Sequence, residues 1–369
     1  MSKVFFTDLH CSMEDSRFKK FMRLIKESQL DSIDFKDKFV AIKLHFGEWG
    51  NMAFLRHQYA RLLCDYLKAL GARPFLTDCS TLYPGARDNA INHLDTAYSN
   101  GYNPLCTGVH TIIADGLRGT DERLVPVAGG EYVKEAHIGA ALAEADIIIS
   151  LTHFKGHIEA GTGGVLKNIG MGGGSKKGKM EMHSHATPLI KTELCVGCGM
   201  CTRHCANDGV HIVDKKAVID EAHCLGCGHC FAFCTKGAIQ CRWDESNPVL
   251  SMKIAEYTKA ILDGKPAFHI SFVTDVTPYC DCMPGNDVPT IPDVGIFAGF
   301  DPVALDQACA DAVNKQPVFP DSLIGKKLGG APHGDLFKVV NPKIDWEAGL
   351  VHAEKLGLGT RAYELVTVR

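Results

Sequence analysis

Two runs of four cysteines constrain what this chain can fold into. The first is Cys195, Cys198, Cys201 and Cys205, and the second is Cys224, Cys227, Cys230 and Cys234. Each follows C-x2-C-x2-C-x3-C, and the second repeats the first 29 residues later. Thiolates at that spacing wrap three ligands around one cubane and send the fourth to its neighbour. The rule predicts one [4Fe–4S] cluster on Cys195, Cys198, Cys201 and Cys234, and another on Cys224, Cys227, Cys230 and Cys205. Zinc sites also use thiolate quartets, but they usually split them into two distant C-x2-C pairs. Gly197, Gly199, Gly226 and Gly228 let the backbone curl towards cluster sulfurs. Ala206 and Thr235 stand where such motifs commonly carry proline, which leaves the ligands intact.

The cysteine runs span only a small part of 369 residues, too little to organise the whole chain. The flanks read as alternating strands and helices. Lys3–Thr7, Phe39–Leu44, Arg73–Thr77, Val109–Ala114 and Asp146–Leu151 are short apolar runs suited to buried strands, as are Ala267–Val273 and Val294–Ala298. A helical pattern from Phe54 to Leu70 closes at Gly71, and Asp301-Pro302 opens another helix. This alternation predicts an α/β fold with a mostly parallel sheet flanked by helices. A small α+β two-cluster ferredoxin-like insertion over 189–243 would interrupt it, leaving α/β parts at 1–188 and 244–369.

Sixteen cysteines without an export signal point to metal binding in a reducing cytoplasm, and cluster chemistry suits an anaerobic setting. No apolar stretch reaches the length of a spanning helix. A net charge of -4 gives no reason to expect nucleic acid or a membrane surface as partner. Oligomeric state is not legible.

In open α/β folds ligands bind beyond the carboxyl ends of the strands. Those ends carry Lys43, His45 and Glu48, then Asp78 and Cys79, Asp115, His153, Lys155 and His157, and finally Asp275, Cys280, Asp281 and Cys282. A strand-end Asp often only caps a helix, and a lone His is often a core residue. Their recurrence at one predicted edge points to a site. The densest stretch runs from Gly156 to Lys179 and holds Gly161, Gly163, Gly164, Gly172 and Gly173 with Lys167. Such glycines let backbone N–H groups approach an anion or cofactor, although neither G-x-x-x-x-G-K-[ST] nor G-x-G-x-x-G is present in a suitable setting. A flexible hinge is the plainer reading. His183 and His185 follow, either able to bind a metal or to lie on the surface. Cys280 and Cys282 form a C-x-C that suits two ligands on one metal better than an unstrained disulfide.

At Lys43–Asn51, Leu82–Gly85, Ile113–Gly116, His153–Gly174, Met182–Ser184, the cysteine runs, Cys280–Cys282 and Asp301–Asp306, the chain resembles the iron–sulfur-centre proteins built on domain of unknown function 362. That resemblance covers essentially the whole chain and implies no settled reaction. A local one is chemically richer. His157, Lys167 and His183, ten and then sixteen residues apart around Gly161-Thr-Gly163-Gly164, resemble the cofactor segment of nickel-pincer lactate racemases over about 30 residues. It implies a lysine anchoring a pyridinium dithio-acid nucleotide at Lys167, a nickel ligand at His183 and an acid/base at His157. Those racemases lack a ferredoxin insertion, so shared fold and site location are the main implications.

The expected function is therefore an iron–sulfur oxidoreductase. Two [4Fe–4S] clusters would relay electrons from a soluble donor protein to a small anionic substrate or cofactor at the Gly/Lys/His-rich edge. His45 or His157 would exchange protons, since histidine titrates nearest neutral pH, and Lys167 would hold the anion. His183, Cys280 and Cys282 would hold an additional metal ion, or the cysteines would act as redox thiols. The alternatives are a ferredoxin-like carrier that docks to partner proteins and a metal-centre assembly protein.

Overall fold

The computed structural model describes every residue except His185, Ala186, Ala206, Leu225 and Cys227. Among the described residues eight strands form one sheet: β1 Ser2–Thr7, β2 Phe39–Lys43, β3 Arg73–Asp78, β4 Thr111–Ile113, β5 Ile147–His153, β6 Ala267–Val273, β7 Gly295–Gly299 and β8 Tyr363–Thr367. Their spatial order is β8-β1-β7-β6-β5-β2-β3-β4. All neighbours are parallel except β7, which runs antiparallel to both β1 and β6. The sheet is the α/β architecture that the alternating apolar runs imply. The β8 edge strand and the reversed β7 are additions the local pattern did not reveal.

Side chains alternate between the two faces of the strands, so each face feeds its own core. Val40 and Ile42 of β2 enter a core with Phe21, Tyr59 and Phe272, whereas Ala41 between them joins Leu166, Ile254 and Leu305 on the other face. Every residue of the central β5 is buried, as a parallel strand covered on both sides requires.

The Gly/Lys/His stretch is mainly helical. It forms α1 (Val165–Gly173) and α2 (Lys176–His183), and α1 packs on α3 (Asn247–Leu262) and α4 (Pro302–Asn314). Its glycines serve close approach. A Cβ on Gly170 would stand 2.2 Å from the Ile254 carbonyl oxygen of α3, and one on Gly173 would meet Ile261 and Leu142 at 2.5 and 2.6 Å. The Thr258 hydroxyl ties the same pair of helices by donating to the Leu166 carbonyl at 2.9 Å.

Between α2 and α3 the chain forms two small antiparallel ladders, Leu189–Ile190 with Ile239–Gln240 and Val210–Val213 with Lys216–Ile219. They share a separate small core of Cys201, Val210, Ala217, Cys230 and Ile239. This segment lies against the large sheet's helices. Phe231 packs on a buried group of Leu82, Met180 and Cys241.

Candidate functional site

The carboxyl ends of β2, β3 and β5 and the loop after β6 surround a cavity of about 640 Å³. Lys43, His45, Cys79, Lys155, His157, Lys167, Lys179, His183, Cys280 and Cys282 all line it. Residues from β2 to the β6 loop thus meet in one place, although some lie more than 200 positions apart.

The floor is a network of buried ion pairs. Lys43 Nζ lies 2.9 Å from Asp78 Oδ1 and donates to Asn168 Oδ1 at 3.0 Å. Asn168 in turn donates to the Lys43 carbonyl at 3.1 Å and to Thr152 Oγ1 at 2.8 Å, locking α1 across the ends of β2 and β5. Arg87, which no sequence motif singled out, pairs with Glu48 at 3.1 Å and donates to the Tyr83 hydroxyl at 2.6 Å. Asp281 is gripped by His153 Nδ1 at 2.9 Å and Lys155 Nζ at 3.1 Å. Burial alone would raise its carboxyl, but those two partners outweigh it and bring the pKa down to about 2. The paired groups are rigid furniture. Lys167 and Lys179 differ: among the described residues neither lies within ion-pair distance of a carboxylate. Lys167 Nζ stands 3.9 Å from Cys280 Sγ, and Lys179 donates to the Gly174 carbonyl.

Cys280 and Cys282 behave as a pair. The thiol of Cys282 hydrogen-bonds to Cys280, and together with Lys167 and Lys155 it holds Cys280 well below the ordinary thiol range despite burial. Cys282 is pushed up by the same contact and by burial. The backbone N–H of Cys282 adds a hydrogen bond to Cys280 Sγ at 3.4 Å. The pair thus favours the charge on Cys280, with the Cys282 thiol as a donor beside it.

His157 offers a ligand atom within 4.8 Å of both sulfurs, and these three residues could hold a metal ion. The ring's own hydrogen bonds limit that role. His157 Nδ1 accepts from the N–H groups of Glu159 at 3.1 Å and Ala160 at 3.0 Å, so the neutral ring carries its proton on Nε2. A histidine bound to metal through Nε2 normally donates its other N–H to an acceptor, the reverse of this arrangement. Two thiols would therefore carry most of such a site. His45 has the same tautomer, its Nδ1 accepting from the Gly47 N–H at 3.0 Å. Burial and the surrounding cations depress both rings well below the usual imidazole value. That shift works against the expected proton exchange near pH 7 and favours the neutral form of each ring, with an Nε2–H to offer. His183 lies in the same cavity but outside the His157, Cys280 and Cys282 group. Its ring packs 4.5 Å from Trp243, its Nδ1 is 3.7 Å from Glu159, and its pKa is lowered to about 3 by burial and by Lys167 and Lys179.

The expected glycine cradle is also built differently. Gly163, Gly164 and Gly172 line the cavity, whereas Gly161 and Gly173 pack against apolar side chains. The first N–H groups of α1, at Val165 and Leu166, are taken by the Asp306 carboxylate at 2.6 and 3.0 Å and are not left for a ligand. Gly172 instead makes room for Lys43, whose Nζ lies 2.3 Å from where a Cβ would stand.

Cys195, Cys198, Cys201 and Cys234 line one small cavity of their own, the set that the cross-over rule groups together. The Ala217 N–H points at Cys195 Sγ at 3.2 Å, and the Gly209 N–H at Cys205 Sγ at 3.1 Å. A Cβ on Gly209 would stand 2.8 Å from Cys224 Cα, so Cys205 and Cys224 meet across that glycine. Gly197, Gly199, Gly226 and Gly228 all take positive φ, from 61° to 72°, which other residues rarely adopt. Thiols with amide N–H groups aimed at sulfur are a donor set that fits a cubane. Cys230 is buried beside them, and Cys227, like His185, lies outside the described residues.

Among the described residues no helix is long and apolar enough to cross a membrane. No curated protein matches the sequence. Among solved structures, the lactate racemase apoprotein from Thermoanaerobacterium thermosaccharolyticum is similar at 13% identity, covering 99% of this chain and 82% of that one, with a TM-score of 0.48. A protein from Thermotoga maritima is similar at 14% identity, covering 81% of this chain and 59% of that one, with a TM-score of 0.39. Residues 40–311 match the family described as Domain of unknown function (DUF362), and the chain belongs to that family.

Proposed function

We propose that the protein is an iron–sulfur oxidoreductase that passes electrons from a soluble donor to a small anionic substrate held in the 640 Å³ cavity. One observation carries this reading: the cysteine-rich segment abuts the cavity. Trp243, nine residues after Cys234, lines it, and Phe231 packs on a buried group that includes the lining residue Leu82. When bound, two [4Fe–4S] clusters supply single electrons. The chain's own residues do the rest. Lys179 and Lys167, neither paired with a carboxylate among the described residues, attract the anion, Lys167 also serving Cys280, and the ion pairs beneath keep the floor fixed. His157 donates its Nε2–H towards the bound group. A bound anion adds an opposite charge near His45 and His157, which raises their depressed pKa values and lets them hold a proton when it is needed. Cys280, as a thiolate beside Lys167, is the redox-capable side chain of the set.

The test uses anaerobically purified protein with its iron counted, reduced with dithionite, then offered a panel of organic anions. Reoxidation of the visible absorbance by one class of acceptor is expected, with Lys167→Met and His157→Gln losing it while keeping full iron. Equal reoxidation of both variants by every acceptor would sink the assignment. The grouping of His157, Cys280 and Cys282 favours a second reading, metal-centre assembly, for which transfer of a bound ion from these residues to an apo-client is diagnostic.

A further inference from the structure

The cavity is two-sided. Its charged floor has been described; its mouth is apolar. Trp49, Ile158, Trp243 and Met283 line it while remaining 60%, 38%, 41% and 37% exposed, and Leu82 and Pro284 continue the same wall. Large apolar side chains left in water around a concave opening mark a surface that something covers.

Trp243 carries the argument furthest. Its φ of 54° is left-handed, a conformation that a bulky side chain adopts only where its surroundings impose it. Here the result is an indole placed at the cavity wall, packed edge-on against His183 with ring centroids 4.5 Å apart. A two- or three-carbon acid held by Lys167 and Lys179 would leave most of 640 Å³ to water and both indoles wet. Cavities in this size range bury ligands of drug-like or cofactor-like size.

We infer that the cavity's ligand is an amphipathic organic anion: a carboxylate or phosphate head for Lys167 and Lys179, joined to a flat apolar body that covers Trp49 and Trp243. This rests on the reading of the cavity as the substrate site and narrows the class of substrate. The two ammonium groups, neither paired with a carboxylate among the described residues, select the head, and the indole-lined mouth selects the body. Uncharged aromatics lack the first term, and bare inorganic anions lack the second.

The chain contains three tryptophans, and two of them line this cavity; the third, Trp346, is buried elsewhere with its Nε1–H donated to Asp335. Ligand binding is therefore readable as fluorescence quenching in the full, iron-loaded protein without any turnover. The probes are phenyl phosphate and phenylacetate, against inorganic phosphate and acetate as heads alone and benzyl alcohol as body alone. Saturable quenching is expected with the two amphipathic probes, at least about tenfold tighter than with head or body alone. Trp49→Ala is expected to weaken the amphipathic probes towards the level of the heads, and Lys167→Met towards that of benzyl alcohol. Inorganic phosphate binding as tightly as phenyl phosphate, or benzyl alcohol binding as tightly as either, would overturn the inference. So would quenching that only a protein partner produces. Tight probe binding without any anion-dependent reoxidation would leave this inference standing and remove the oxidoreductase reading; reoxidation by small anions with no amphipathic preference would do the opposite.

Discussion

At Cys280 the chemistry is set by three neighbours: the Cys282 thiol, Lys167 and Lys155. A thiol held low is partly ionised at neutral pH and reacts accordingly, whereas Cys64 and Cys79 are pushed up by burial. Iodoacetamide at pH 7, read by peptide mass spectrometry, should label Cys280 ahead of Cys64 and Cys79. Lys167→Met removes one stabilising cation and should slow Cys280 several-fold; an unchanged rate would show that Lys167 does not act on the thiolate. The buried histidines give a second residue-scale effect. Burial holds His93 and His269 near 3, against 6.5 for a free imidazole. Below about pH 6.5 the unfolded chain takes up protons that the folded state refuses. Stability is therefore full above that pH and falls towards pH 3, by about 1.4 kcal/mol per pH unit for each ring. Urea midpoints at pH 7, 6 and 5 should show this fall, and His269→Gln should make it shallower by one ring's share.

At the scale of elements, α1 decides where the site lies. Its glycines suggested a backbone cradle, since nothing in one segment says whether a small residue is there for a ligand or for a neighbouring helix. Gly170 faces the Ile254 carbonyl of α3, a backbone atom that cannot rotate away. Gly170→Ala should cost about 1–3 kcal/mol in chemical denaturation. Gly285→Ala, where nothing lies within 4 Å, should stay within about 0.5 kcal/mol. Equal effects would mean that α1 and α3 are less closely packed than the structure has them. The strands were more legible than the helices, because β2, β5 and β6 are short, largely apolar runs that announce burial on both faces. The reversed β7 carries the same kind of run, and direction leaves no mark in a strand's composition.

For the whole molecule, the arrangement to test is the cross-over between two cysteine runs. Cys198→Ser and Cys234→Ser lie 36 residues apart, yet both belong to one predicted cluster set, while Cys205→Ser belongs to the other. The first two should produce the same EPR deficit with about half the iron, and Cys205→Ser a different deficit of similar size. If Cys205→Ser and Cys198→Ser instead gave matching spectra, each run would hold its own cluster. The cysteine-rich segment and the cavity are joined through Trp243 and Phe231, so loss of the proposed clusters should also change Trp243 fluorescence.

Some of this protein is written locally. The spacing of eight cysteines, the apolar strand runs and the Lys, His and Cys residues at strand ends are properties of short segments, and short segments were enough to read them. Others exist only in three dimensions. Arg87 joins the cavity through Glu48, 39 positions away, and Trp243 through its ring contact with His183, and the tautomer of His157 depends on which backbone N–H groups it meets. The partner of Cys280 is an ammonium 113 residues away. Ligand type is a matter of local chemistry, whereas charge balance, protonation and the shape of a cavity are sums over everything nearby, and the fold alone decides what is near.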